Sequence, residues 1–173
     1  MRTKITLTIA FLGVFLTVFS QPNPTWEKWN WLIGDWAGEG SGQPGKGGGT
    51  FTFKADLDQK ILVRKSHSEY PAIGSKPEII HNDLLIVYPD YSENGSKAIY
   101  FDNEGHIINY SITFSDQSII LTSEKIPNVP LFRLTYTLLE DQKVNTKFEI
   151  SRDGANFNTY LEGNSIKIRN EKP

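Results

Sequence analysis

The chain has 173 residues, three histidines, no cysteine and a formal charge of −2. The lack of cysteine excludes disulfides, thiolate zinc sites, thiol nucleophiles and lipid carried on a cysteine, so stability has to come from a packed core. Acidic and basic residues are interspersed along the chain, which leaves no basic stripe for nucleic acid and no acidic tail.

The first four residues, Met1 to Lys4, carry positive charge and run into an uncharged stretch from Ile5 to Phe19. That order of a charged start and a short apolar run predicts a signal peptide, and the run is short for a membrane span. Val18 and Ser20 have the small side chains that a processing enzyme accepts, which places cleavage before Gln21; a retained anchor is the alternative. Removing 20 residues leaves 153, an ordinary length for one domain over 21–173, with 16 basic against 20 acidic residues and a charge of −4. The expected product is exported, to a periplasm or out of the cell, with no stable membrane insertion after cleavage.

Pro22 and Pro24 predict an extended lead-in, and Trp26 to Ile33 one short helical or 3₁₀ turn. From Asp35 onward the helical period is lost. Short runs of β-branched and aromatic residues recur between turn-forming residues, the pattern of an all-β sandwich or barrel. Ten runs meet this rule: 35–40, 50–56, 61–70, 79–88, 96–103, 106–115, 118–124, 131–139, 143–151 and 156–168. Segments such as Asn103-Glu104-Gly105, Ser115-Asp116-Gln117 and Arg152-Asp153-Gly154 tolerate turn dihedrals, and such short links predict antiparallel neighbours. Ten half-buried strands need closure or stacking to remove their edges, and of the two the expected fold is one closed antiparallel up-and-down β-barrel. A two-residue turn at Glu104-Gly105 would pair Asn103 with His106, Phe101 with Ile108 and Ile99 with Tyr110. Alternation then turns His106, Ile108, Tyr110, Ile112 and Phe114 inward, along with Phe51, Phe53, Phe132, Leu134, Tyr136, Leu138, Val144, Phe148 and Ile150.

The first strand reads Trp31-Leu32-Ile33-Gly34-Asp35-Trp36-Ala37-Gly38-Glu39-Gly40. Gly34 can turn the chain sharply into the strand, and Trp36 can plug a barrel end with its indole N–H paired. This opening resembles that of the calycin superfamily, where a short helical turn leads into Gly-x-Trp. The Trp-x-Gly-x-Gly continuation is most similar to nitrobindin-like ten-stranded barrels and to exported bacterial proteins of this look. The resemblance implies a lipocalin-like barrel whose Trp36 is covered by a cation from late in the chain, Arg169 or Arg152. It also implies a small apolar molecule as the partner. Nitrobindins hold haem on a histidine near the C-terminus; here the last histidine is His106, so no haem and no other cofactor is expected.

Three constellations carry possible chemistry. Gly40 to Lys46 follows a phosphate-binding loop as far as its lysine, but Gly47 stands where a hydroxyl should hold magnesium and a strand follows where a helix is needed, which predicts a flexible loop. His67 with Glu69, and His81 with Asp83, alternate onto one face of their strands; an even register would gather them into a metal-like cluster, and an odd one would not. His106 is expected at the rim above Tyr110, able to orient a polar head. The ligand-binding set is therefore Trp36, Phe53, His106, Tyr110 and Tyr136, with no metal expected. A hydrolase or isomerase using His67, His81 or His106 is the alternative function, and a barrel without ligand that serves structure or a partner is the third.

Overall fold

In a computed structural model that describes residues 26–40, 48–72, 75, 77–92 and 95–169, ten antiparallel strands close on themselves. They are β1 Gly34–Gly38, β2 Thr50–Asp56, β3 Ile61–Tyr70, β4 Ile79–Asp90, β5 Gly95–Asp102, β6 Ile107–Phe114, β7 Ser118–Ser123, β8 Leu131–Glu140, β9 Lys143–Ser151 and β10 Asn158–Lys167. Each strand pairs with its neighbours in sequence and β10 returns to β1, giving the expected up-and-down barrel. The expected signal peptide over 1–20 and most of the glycine-rich first loop, 41–47, lie outside the described residues.

All ten strands fall on the runs that β-branched and aromatic content marks out, with ends that differ by a few residues. β4 is longer than expected and passes through Pro89 to Asp90, whose carboxylate accepts from Ser92 N and Oγ at 3.0 and 2.6 Å and so starts the turn.

The register of β5 on β6 differs by one residue from the apolar expectation. Phe101 pairs with Ile107, Ile99 with Asn109 and Ala98 with Tyr110. The link is a three-residue loop, Asn103 to Gly105, with Gly105 at φ 93°. The Asp102 carboxylate fixes it by accepting from the backbone N–H of Glu104 and His106 at 3.0 and 2.9 Å. Ala98 and Tyr100 therefore take the inner face of β5. Ile99 and Phe101 lie outside, opposite Ile86 and Leu84.

One barrel end is plugged by the chain's own start. A 3₁₀ turn, Glu27–Trp29, lies under the strand ends there. Trp26 donates its indole N–H to Gln59 O in the β2–β3 turn at 2.9 Å, and the Trp29 ring sits 5.9 Å from Phe53 and 6.0 Å from Phe114. Gly34 has φ 136°, which suits glycine and lets the chain bend from the plug into β1. Trp36 is fully buried and donates to Leu32 O at 2.8 Å. The cation above it is Lys167, 5.3 Å from the ring, and neither arginine expected there. Lys167 is the direct cross-strand partner of Trp36, whereas Arg169 lies two residues beyond and donates to Gln142 Oε1, and Arg152 is exposed next to the β9–β10 loop. The opposite end, the loop end, carries the β3–β4, β5–β6, β7–β8 and β9–β10 loops.

Candidate functional site

Alternation along β3 puts Leu62, Arg64, Ser66 and Ser68 inside and Val63, Lys65, His67 and Glu69 outside. The partners in β4 are Val87 for Leu62, Leu85 for Arg64, Asp83 for Ser66 and His81 for Ser68. A guanidinium is thereby drawn into an apolar lumen. Arg64 is 7% exposed, its Nη1 donates to the Tyr136 hydroxyl and its Nη2 to Asp83 Oδ1. Tyr136 belongs to β8, five strands from β3 in either direction round the ring, so this contact spans the barrel. On the plugged side of the bridge the lumen is filled by rings: Phe53 lies 5.5 Å and Phe51 6.1 Å from Tyr136, and Phe51 stacks on Trp36 at 5.9 Å.

Burial by itself would lower the pKa of Arg64, but the charge of Asp83 and the contact with Tyr136 more than offset it, and the group stays protonated. Burial pushes the hydroxyls of Tyr136, Tyr110 and Tyr100 up, so all three are neutral hydrogen-bonding phenols at pH 7. Arg64 Nε is buried with no acceptor, an uncommon state for a polar atom in a folded core.

From this bridge a polar ladder climbs the β4–β5 wall toward the loop end. His81 Nε2 lies 3.6 Å from Asp83 Oδ2 and 3.1 Å from the Tyr100 hydroxyl. Tyr100 is 3.3 Å from Asp102 Oδ2, and Asp102 meets His106 Nδ1 at 2.8 Å. His81 Nδ1 contacts Glu104 Oε1 at 3.1 Å. Asp83 and Asp102 are direct cross-strand partners, a like-charge opposition eased by Arg64 at Asp83 and by the backbone N–H groups of Glu104 and His106 at Asp102. Burial opposes ionisation of Asp102, but the hydrogen bonds from His106 and Glu104 win and its pKa is lowered. Tyr100 has one hydroxyl proton and two acceptors within reach, His81 Nε2 and Asp102 Oδ2.

The facing wall is apolar. Phe132 stacks on Phe148 at 5.9 Å, and Leu161 of β10 is the partner of Phe148. Phe132, Phe148, Ile150, Leu161, Ile108 and Tyr100 point inward by strand alternation, lie toward the loop end and are half-buried.

The residues expected to form the site divide between three places. Trp36 and Phe53 pack the plugged end. Tyr110 and Tyr136 are buried inside at the level of Arg64, and Tyr136 uses its hydroxyl there. His106 is exposed on the β5–β6 loop, held by Asp102. The register of β3 on β4 is odd, pairing His67 with Asn82 and Ser68 with His81, so His67 and Glu69 lie outside while His81 and Asp83 lie inside. Outside the barrel His67 contacts Asn82 Oδ1 at 2.7 Å and Glu69 Oε1 at 2.9 Å. Arg64 escaped the sequence reading. Its signal was a cation alternating with Leu62 on a strand, the wrong residue for a core position unless it has a task there.

No protein-family model matches the chain, and no curated protein matches it.

Proposed function

We propose that this barrel is an exported carrier or receptor for a small, largely apolar molecule held between the Arg64–Tyr136 bridge and the loop end. The observation that carries the reading is the set of inward-facing aromatic and aliphatic side chains that remain half-buried there, opposite a wall of hydrogen-bonding groups. Small-molecule sites have this make-up, an apolar lining with a few convergent polar atoms. A ten-stranded ring is also wider than an eight-stranded one, whose interior side chains can just fill. The Trp36 plug and the closed ten-stranded ring agree with the likeness to calycins, and that likeness supports the reading by analogy.

The test is a titration with a dye that brightens in apolar surroundings. Saturable binding of about one dye per chain is the expected result, weakened at least tenfold by Leu161→Trp, which adds bulk inside, and unaffected by Ile107→Ser, which changes an exposed outer residue. A dye response lost in Ile107→Ser and kept in Leu161→Trp would place the apolar site on the outer surface and end this reading.

A further inference from the structure

Arg64 looks at first like an anchor for an acid, but its surroundings argue the other way. We infer that the bound molecule carries an uncharged carbonyl head, that of an ester, ketone or amide, and that carboxylates are rejected. The inference rests on the binding reading above and adds the chemistry of the head.

The positive charge of Arg64 is already matched by Asp83, whose side chain is 6% exposed. Nη1 and Nη2 each already have an acceptor, Tyr136 and Asp83 respectively. The other inward cation among the described residues, Lys167, sits at the plugged end with Nζ 3.3 Å from Trp31 O. His81 and His106 are themselves set against Asp83, Glu104 and Asp102, so a carboxylate brought down the lumen would find no uncommitted positive charge. It would pass Glu104 and Asp102 and come to rest beside Asp83. Burying a charge without a counter-charge is among the most expensive events in a protein interior.

The unmet need at this level is for an acceptor without charge. Arg64 Nε–H is buried and unpartnered, and a guanidinium can only donate. A carbonyl oxygen answers that N–H while leaving the Arg64–Asp83 pair intact. The atom is shielded from solvent, so binding needs a small shift of the Arg64 side chain, and the remainder of the molecule then lies along Phe132, Phe148 and Leu161. Sites built around an unsatisfied polar group discriminate strongly in favour of the ligand that satisfies it.

The test uses three eight-carbon probes at pH 7.5, methyl octanoate, octanoate and octanol, each competing with the dye on the wild-type protein. The Arg64 Nε–H signal is followed by NMR in the same samples. The ester is expected to bind at least tenfold more tightly than octanoate and several-fold more tightly than octanol, and to shift the Nε–H signal. In Asp83→Asn, where the arginine charge is released, octanoate should gain at least tenfold relative to the ester. Should that variant not fold, the wild-type ranking and the Nε–H shift decide. Octanoate binding as tightly as the ester, or an ester that binds without moving the Nε–H signal, overturns the inference and leaves the binding reading standing. Failure of all three probes and of the dye removes the binding reading itself.

Discussion

Trp36 does at residue scale what its position in Gly34-Asp35-Trp36 leads one to expect. It is fully buried, its one donor is satisfied by Leu32 O, and its faces meet Phe51 and Lys167. Trp36→Ala removes those contacts and leaves a cavity, an expected loss of about 3–5 kcal/mol in denaturant titration. A loss under about 1 kcal/mol would mean that the plug does not depend on it. His67 offers a second check at the same scale. Hydrogen bonds to Asn82 and Glu69 raise its pKa above the ordinary 6.5 although the ring is exposed. A raised value means that protonated His67 favours the folded state: the contribution is complete below the unfolded pKa and is lost as pH rises through the folded one. An NMR titration should therefore place His67 above 6.5 and return it toward that value in Glu69→Gln.

The buried apolar positions were legible from alternation, as Phe53, Tyr110, Tyr136 and Val144 show. The guanidinium inside was not, because inward charges become intelligible only once a partner on another strand is known. Asp83 is 19 residues from Arg64 and Tyr136 is 72.

Elements were easier to find than their pairings. Turn-forming residues at regular spacing mark all ten strands, but register depends on loop geometry. At the β5–β6 link the Asp102 carboxylate favours a three-residue loop over the two-residue turn that apolar matching suggests. Asp102→Ala should accordingly raise hydrogen-exchange rates at Glu104 and His106 first and cost about 1.5–3 kcal/mol overall, the range for hydrogen bonds to a charged group. Unchanged protection at those two amides would show that the loop does not rely on the carboxylate. Gly49 makes a parallel case at the start of β2. It has φ 94°, and a Cβ there would stand 2.0 Å from His67 O and 2.7 Å from Ser68 Cα. Gly49→Ala is expected to cost more than the roughly 1–2 kcal/mol of the dihedral alone, because the backbone of β3 must also move. Thermal unfolding measures it directly. A Tm equal to wild type would show that β2 and β3 part there without cost.

The whole molecule divides at the Arg64–Tyr136 bridge into a half filled with rings and a half lined on one side by hydrogen-bonding groups and on the other by Phe132, Phe148 and Leu161. Closure of ten strands follows from their number and alternation, and so does an apolar interior. The sidedness of the lumen follows from the odd register of β3 on β4, which turns His81 and Asp83 inward. The same register separates them from His67 and Glu69, so a single slip would have produced a different site.

The claim that this lumen holds an apolar molecule is tested most directly by mapping side-chain NMR shifts while the dye or the ester is added. Saturating shifts are expected to centre on Leu134, Phe148, Ile150 and Leu161, with little change at the outward Ile86, Ile99 and Phe101. Shifts confined to those outward residues, or no saturable shift anywhere, would contradict it.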